Sequence, residues 1–481
     1  MINLLSICVI FSISISPHNI YLEHYYIIPP LGRIYSITAS TRYLFVASDN
    51  YLIFFNKPDL SFEKALMFDR TLELIAYDQS TDDIWLISLP EIVRFTPFTY
   101  SIKTFPFSRV VNRLAVDSKY LYLDTGTKYC LDKRTGKLKT VSSFPPGLYW
   151  NEKDPSPLLK KYTFLTPYYY FDQEKESQIP FQRYPITALY DDGINLFVGT
   201  DRFGLLKYNK VSWQYQRIIY GPLDSQIDKV YQIDSIIHFL SAGGISYFQA
   251  QKRKWHYLRL KQRPENILWM DKEFVLSFEN RLLKLNGTFT FPLGNFQGRV
   301  LCLNQDTQNI YIGTTQGLFR LPIRANEPLP FGLKDFAIYV IHPTEDKIYI
   351  GGENGFYRYD KKSKTWSRPI SFGIKDIVSI GHNLYLLGLN NQLISYQSDA
   401  SDSDTTWFLL PYFNIYDITT DQEVLYCASY SGVYYYNPQS SSYQIVHQLP
   451  RIKYDYVFFV GDKLIAIADK KIYALSEEYL H

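Results

Sequence analysis

A repeat of about 38 residues runs along most of this chain and restricts the folds open to it. Its clearest copies begin at residues 196, 310 and 348, and weaker copies begin at 44, 84, 121, 238, 274, 384, 425 and 464. The double-length step between 121 and 196 leaves room for a degenerate copy at 152–184, which brings the total to about 12. Self-similarity at a fixed period of this size is the signature of a repeat architecture.

Each copy is predicted to form four strands. In the copy built on Ile348, the strands fall at 336–342, 347–351, 356–359 and 365–370, with turn residues between them. The aromatic content of 17% agrees, because aromatic side chains favour strands. A four-stranded sheet cannot bury both of its faces alone, and packing such sheets around an axis solves this. The prediction is an all-β protein, a β-propeller of about 12 four-stranded units.

The units are expected to form two rings, over residues 17–262 and 263–481, because one ring of 12 would leave a wide central channel. A single ring over 17–481 stays open as the alternative. The last unit has only three strands, and the segment 22–32 supplies a spare strand. We expect residues 25–28 to pair with 472–475, which would close the last unit and remove an exposed sheet edge.

Residues 1–16 are interpreted as a signal peptide. The apolar run from Leu4 to Ile15 is too short to span a bilayer and ends in small residues. Pro17 and the lack of Lys or Arg before the run argue against export, so a buried first strand and lipidation at Cys8 remain alternatives. With no later stretch of transmembrane length, we expect a secreted, periplasmic or cell-surface protein.

The cysteines are not predicted to form disulfide bonds. An odd number of widely spaced cysteines would remain after cleavage, and this pattern predicts neither a disulfide framework nor a zinc site. Buried free thiols are expected at Cys130, Cys302 and Cys427.

A glycine-containing pattern recurs in the clearest copies, at Gly199, Gly204, Leu205, Lys207 and Tyr208, and again at Gly313, Gly317, Leu318 and Arg320. It resembles the two-component-regulator-type propeller repeat, over three clear units and eight looser ones. The resemblance implies the fold and says little about function. Propellers of that family often form periplasmic sensor domains ahead of a membrane helix and a kinase, and neither is visible in this sequence. Free-standing secreted relatives serve in surface assembly and glycan capture.

Two groups of residues are candidates for ligand binding. Most tryptophans recur at one position of the repeat, which indicates packing between units, whereas Trp150 and Trp269 depart from that register and could stack on a ligand. A basic strip, flanking a predicted outer strand, could bind an acidic glycan or lipopolysaccharide: Lys252, Arg253, Lys254, Arg259, Lys261 and Arg263. The alternative for the strip is a solvated edge, since lysines on an outer strand block edge pairing.

Signals of catalysis or metal binding are not visible in the sequence. The eight His residues show no metal-ligand spacing, and no nucleophile elbow or phosphate-binding loop occurs, so we predict no metal, no cofactor and no catalytic residue. The Asp78–Asp83 segment lacks the Gly and Glu of a calcium loop and is interpreted as an Asx turn. A formal charge of +3 on 481 residues predicts no nucleic-acid partner.

The leading functional hypothesis is a secreted, non-enzymatic binding scaffold that engages a protein or a glycan at the cell surface. The alternative is a carbohydrate-active enzyme, a polysaccharide lyase or glycoside hydrolase. Carboxylates gathered with Tyr or Arg at one end of a ring would favour the enzyme. The oligomeric state is left open.

Overall fold

The protein was analysed as a computed structural model. It describes residues 25–29, 31–162, 165, 169–171, 183–212, 214–223, 227–241, 243–249, 254–260, 262–270, 273–286, 289–323, 325, 327–397, 407–409, 414–468 and 471–476. The predicted signal peptide, residues 1–16, lies outside them.

The described chain is all-β, apart from one short helix, and forms eleven antiparallel sheets. Nearly every sheet is a meander of consecutive strands, the architecture of β-propeller blades. The first three sheets contain β2 Ile34–Ala39, β3 Tyr43–Ser48, β4 Tyr51–Asn56 and β5 Phe62–Met67; β6 Leu74–Asp78, β7 Asp83–Ser88, β8 Glu91–Thr96 and β9 Ser101–Pro106; and β10 Arg113–Val116, β11 Tyr120–Asp124, β12 Lys128–Asp132 and β13 Leu138–Thr140, joined by β14 Asn151–Glu152.

The helix and the fourth sheet follow as α1 Ser156–Leu159, then β15 Tyr169–Phe171, β16 Arg183–Asp191, β17 Asn195–Thr200, β18 Leu205–Asn209 and β19 Tyr215–Ile218. Four further sheets contain β20 Lys229–Ile233, β21 Ile236–Ser241, β22 Gly244–Gln249 and β23 Lys254–Arg259; β24 Asn266–Met270, β25 Glu273–Phe278, β26 Arg281–Asn286 and β27 Phe289–Asn295; β28 Val300–Gln305, β29 Asn309–Thr314, β30 Gly317–Pro322 and β31 Leu329–Lys334; and β32 Ile338–Pro343, β33 Lys347–Gly352, β34 Gly355–Asp360 and β35 Thr365–Ile370.

The last three sheets contain β36 Ile374–Ile380, β37 Asn383–Gly388, β38 Leu393–Gln397 and β39 Trp407–Leu409; β40 Ile415–Thr420, β41 Leu425–Ser429, β42 Gly432–Asn437 and β43 Ser442–Ile445; and β44 Tyr456–Val460, β45 Lys463–Ala468 and β46 Lys471–Ser476, completed by the N-terminal strand β1 Tyr25–Ile28. None of the helices in the described ranges is long and apolar enough to cross a bilayer.

The N-terminal strand supplies the fourth strand of the last sheet. β1 pairs antiparallel with β46, with Tyr25 opposite Leu475 and Ile28 opposite Ile472. Ile28 is 1% exposed. The predicted pairing of residues 25–28 with 472–475 is therefore confirmed.

The degenerate copy at 152–184 contributes no sheet of its own within its described residues. β14, at its start, pairs with β10 of the preceding sheet, and β15 pairs with β16 of the following sheet. The remainder of this copy is α1 with its flanking residues, or lies outside the described ranges.

The chain divides into two compact units. The first holds residues 34–157 and 187–192, and the second holds 23–33, 158–186 and 193–481, with residues 1–22 assigned to the first. The strand that opens a sheet is here called its first strand. In the seven sheets of the second unit that begin at β20, the first strand contacts the first strand of the next sheet, from β20 through β24, β28, β32, β36 and β40 to β44. β20 also contacts β44, where Gln232 Nε2 donates to Phe459 O at 2.8 Å.

The core lies between neighbouring sheets. Side chains alternate along a strand, so one strand can serve two interfaces. Along β37, Leu384 and Leu386 pack with Phe356 of the preceding sheet, whereas Tyr385 and Leu387 pack with residues of the following sheet, including Ile418 and Cys427.

The recurring tryptophan position serves the same interface where it can be described. The ring of Trp366 on β35 lies 5.5 Å from the ring of Phe331 in the preceding sheet. The interpretation of this position as packing between units is confirmed at Trp366.

Ion pairs between Lys and Asp recur between sheets. The Lys that follows the third strand of one sheet binds an Asp at the end of the preceding sheet's first strand, or just after it. Lys133 binds Asp78, and Lys361 Nζ lies 2.7 Å from Asp306 Oδ2. Burial would raise the pKa of Asp306, but the hydrogen bond from Lys361 and three further donors lower it to about 2. Lys57, at the same position of the first sheet, lies 3.6 Å from Asp192 at the end of β16.

The glycine of the repeat opens the third strand in a conformation that other residues adopt poorly. Gly317 has φ +124°, and a Cβ on it would lie 2.4 Å from Leu333 O. Thr314 Oγ1 donates to Gly317 O at 2.9 Å and closes the turn. The repeated glycine is therefore needed both for its positive φ and for the close approach of the fourth strand.

Gly317→Ala should destabilise the protein by about 2 kcal/mol or more, because it adds strain at positive φ to a backbone clash. Gly381→Ala is the matched control, since Gly381 also has positive φ but a Cβ there would contact nothing within 4 Å. Thermal unfolding of the two variants measures the difference. Equal melting temperatures would contradict the assigned clash.

Deleting residues 22–30 should lower the melting temperature and promote aggregation, because the edge of β46 would be left unpaired. Ile28→Ala is a milder variant that keeps the strand and removes one buried side chain. Calorimetry and light scattering check both effects, and an unchanged melting curve after the deletion would show that β1 contributes nothing to stability.

Candidate functional site at the first strands

Polar side chains on the first strands bind the backbone of the neighbouring first strand. Ser36 Oγ accepts from Ile75 N at 3.2 Å in the first unit. In the second unit, Asn304 Nδ2 donates to Ile341 O at 2.6 Å. Such bonds satisfy backbone groups that no ladder reaches, as buried polar groups require.

Two carboxyl groups occupy the position of Ser36, directly after the β-bulge of the first strand, in consecutive sheets. Asp376 on β36 and Asp417 on β40 each follow a β-bulge and are half-buried. Val457 N, on the next first strand, donates to Asp417 Oδ2 at 2.8 Å, and Ile377 N donates to Asp376 Oδ1 at 2.8 Å. The bulge therefore directs each carboxyl group along the row of first strands.

The two carboxyl groups hold their protons unusually well. Burial raises the pKa of Asp376 to about 6. Burial and the charge of Asp376 raise the pKa of Asp417 well above its ordinary value. Lys375 lies nearby, with Nζ donating to Asn391 Oδ1 at 2.6 Å, but burial lowers its own pKa. At neutral pH the pair therefore carries less than two full negative charges.

A second polar network lies on β20 and β24. Lys229 Nζ and Tyr231 OH both donate to Asn266 Oδ1, at 3.0 and 2.7 Å, and Asn266 Nδ2 donates to Val300 O at 2.9 Å. Burial lowers the pKa of Lys229 and raises that of Tyr231. These contacts join three consecutive first strands.

The Asp376–Asp417 pair has the properties of a catalytic group and also those of a structural one. A carboxyl group with a pKa near 6, beside a second carboxyl group, has the property of a general acid. Tyr456 stands close enough that its pKa rises to about 12, through burial and then the charge of Asp417. Asp417, however, is already bonded to backbone N–H across the sheets, which is the structural role that Ser36 performs without a charge.

Trp150 and Trp269, the two tryptophans predicted to bind a ligand, are both half-buried, and each packs against a neighbouring aromatic ring. Trp150 lies 4.8 Å from the ring of Phe144, and the guanidinium of Arg113 lies 4.9 Å from its centroid. Trp269 lies at the end of β24, 4.5 Å from Phe274. The structure does not bring the two together with Asp376 and Asp417 through any contact among described residues.

The basic strip is described only in part. Arg259 is half-buried on β23, opposite Gly244, and Arg263 is exposed with Nε 2.7 Å from Asp228 Oδ2. The backbone of Lys254 opens β23 opposite Gln249, while its side chain lies outside the described part. Lys252, Arg253 and Lys261 also lie outside it.

The structure also describes the Asp78 segment and the three cysteines that the sequence analysis singled out. Asp78 Oδ1 accepts from Ser80 N at 3.0 Å, which confirms the Asx turn. Cys130 and Cys427 are buried and Cys302 is half-buried, all three as free thiols. Within the described ranges, no group of three His, Cys, Asp or Glu residues could hold a metal ion.

Sequence reasoning missed the two carboxyl groups. Their signal was present, since Ile-Lys-Asp-Ile at 374–377 and Ile-Tyr-Asp-Ile at 415–418 occupy the same place in consecutive copies. Lys229, Tyr231 and Asn266 left no such signal, because each occurs in one copy only.

Asp417→Ser should flatten the loss of stability that accompanies a rise in pH above the ordinary aspartate pKa. The pKa of Asp417 is raised in the folded state, so the carboxyl group stabilises the fold at low pH, and this contribution is lost as the pH rises through the folded pKa. The melting temperature of the variant relative to the parent should therefore increase with pH. Asp346→Ser, at an exposed Asp, is the control, and a pH-independent difference for Asp417→Ser would contradict the assignment.

Neither a protein-family model nor a curated protein matches this sequence. Among solved structures, the Cps50 (Swd1) β-propeller domain of Myceliophteria thermophila is 10% identical, with 54% of this chain and 99% of that chain covered, at a TM-score of 0.44. The extracellular domain of the putative hybrid two-component system BT4673 of B. thetaiotaomicron is 12% identical, covering 92% and 76%, at 0.42. PorZ, a surface component of the type-IX secretion system of Porphyromonas gingivalis, is 10% identical, covering 95% and 81%, at 0.36. At these scores the similarities carry no argument about function.

Proposed function

We propose that this protein is a secreted, non-enzymatic scaffold that binds a protein or a glycan at the cell surface. The observation that carries the proposal is an exposed apolar end of the second unit. Leu389, Tyr430 and Ile452 are 43%, 67% and 37% exposed. Leu389 and Tyr430 lie in second-to-third-strand turns, and Ile452 lies in a connection to the next first strand. In an antiparallel meander these segments share one end of the sheets.

Large apolar side chains that remain in water mark interaction sites when they gather on one surface. Here they belong to two consecutive sheets and to the connection that leads to a third. Lys453 lies beside them, with its Nζ 4.8 Å from the ring centroid of Tyr416. The polar groups of the first strands, by contrast, are bonded to backbone and hold neighbouring sheets together. Recognition by the exposed turns and stability from the first strands fit a scaffold.

The finer architecture is part of the same proposal. We infer two rings, the second closed by the seven sheets from β20 to β46, with the contact of β20 and β44 as support. The Lys57–Asp192 ion pair, equivalent to Lys133–Asp78, supports closure of the first unit. Export would use the signal peptide predicted at 1–16.

A second candidate function is a carbohydrate-active enzyme. The raised pKa of Asp376, with a second carboxyl group on the next first strand, favours it, because glycosidases pair a protonated and an ionised carboxyl group. In that case Asp376 would donate the proton to the leaving group.

Leu389→Ser combined with Tyr430→Ser should reduce retention of the protein on its cell-surface target by about tenfold or more, since each removes a large apolar contact. Binding is measured on a glycan array and with fractionated surface proteins. Val211→Ser, which changes an 86% exposed apolar residue in a third-to-fourth-strand turn, is the matched control.

Equal retention of the double variant and the parent would refute the exposed end as the binding surface. The enzyme is tested on the same glycans by the release of reducing ends or unsaturated products. Turnover that Asp376→Asn abolishes would replace the scaffold with the enzyme.

A further inference from the structure

A polar cavity of about 300 Å³ lies between two sheets of the second unit. One wall is a face of the β37–β38 hairpin, where Asn383 is paired directly opposite Gln397 and Tyr385 opposite Ser395. Residues two apart on a strand share a face, so these two cross-strand pairs present their side chains together.

The opposite wall comes from the next sheet. Tyr436 on β42, with Pro438 and Ser441 of the following turn, completes the lining. The rings of Tyr385 and Tyr436 lie 6.0 Å apart at 64°. Tyr385 and Tyr436 are 2% and 3% exposed, so their rings belong to the core and the cavity offers mainly amide and hydroxyl groups.

The lining has no charge at neutral pH. It contains only Asn, Gln, Ser, Tyr and Pro, and the pKa of Tyr385 is raised to about 12 by burial and then by Tyr436, so its hydroxyl stays protonated. A buried carboxylate or ammonium group on a ligand would find no counter-charge here, and burying an unpaired charge is costly. The cavity therefore selects neutral ligands.

A second cavity of the same unit does not share this polarity. A second cavity of about 420 Å³, between the sheets of β24 and β28, is lined by apolar residues such as Leu293, Ile310 and Leu321, with the Glu273–Lys284 ion pair. That cavity continues the apolar core. Amide and hydroxyl groups line the polar cavity, whereas mostly apolar side chains line the second cavity.

The amides are available to a ligand. Asn383 is half-buried and Gln397 is exposed, and the described part of the chain shows no hydrogen bond to either side-chain amide. Each amide offers two donors and one acceptor oxygen, which suits hydroxyl groups that both donate and accept.

We propose that this cavity binds a neutral, hydroxyl-rich ligand, a single terminal sugar residue, through the amide groups of Asn383 and Gln397. A volume of about 300 Å³ is at the small end of ligand pockets, which suits one ring better than a chain. The proposal rests on the glycan branch of the proposed function and assigns it a site away from the exposed turns.

Saturation-transfer NMR on the full chain tests the site with glucose, galactose and N-acetylglucosamine as probes and glucuronate as the charged comparison. At least one neutral sugar should bind, and Asn383→Leu with Gln397→Leu should weaken it at least about tenfold through loss of two amide contacts. Gln392→Leu, at the other end of the same hairpin, should bind as the parent does. Gln397→Glu, at an exposed position, provides a variant that keeps the fold and should also weaken binding.

Absence of transfer to all three neutral sugars, equal affinity in both site variants, or preference for glucuronate would overturn the proposal. Near-ultraviolet circular dichroism verifies the fold of each variant. Loss of sugar binding in the cavity variants with unchanged retention on the surface target would separate this site from the exposed end. If the sugar site fails while surface retention persists, the proposed function stands without it.

Discussion

Each sheet of this protein buries its apolar side chains only against neighbouring sheets, because a four-stranded meander cannot cover its own faces. The alternation along β37, with Leu386 facing one neighbour and Leu387 the other, shows how one strand supplies two interfaces. Close approach then leaves backbone groups of the first strands without ladder partners. Side chains such as Ser36, Asn304 and Asp417 satisfy them, so polar chemistry at this position is first a condition of packing.

Much of this architecture could be read from sequence, because it repeats. A strand or turn that recurs every 38 residues or so is detectable even when each copy is degenerate, and the positive φ of Gly317 explains why glycine marks the copies. The spare N-terminal strand was detectable by the same logic, as the last copy lacked a member. The segment at 152–184 was harder, since its short strands join the sheets on either side.

The candidate sites were largely hidden, because they depend on partners far apart in the chain. Asp78 could be predicted as an Asx turn from its neighbours, but not as the partner of Lys133, 55 residues away. Asp376 differs from ordinary turn carboxylates only through a bulge and the burial around it. The polar cavity requires the register that sets Asn383 opposite Gln397 and a wall from another sheet. A short sequence pattern reports neither which distant residue a side chain meets nor which sheet packs against it.

The pairing of β1 with β46 also has a consequence for how the protein is made. Synthesis delivers residues 25–28 long before residues 471–476, so this sheet stays incomplete while all the sheets between them emerge. The entropy of closing so long a loop grows only slowly with its length, but the search is slow compared with local hairpins. During that interval each nascent chain offers an unpaired strand and a matching open edge. Two chains growing on one messenger RNA can each pair β1 with the open edge of the other chain's β46. Strand-exchanged dimers are therefore the expected by-product of crowded synthesis.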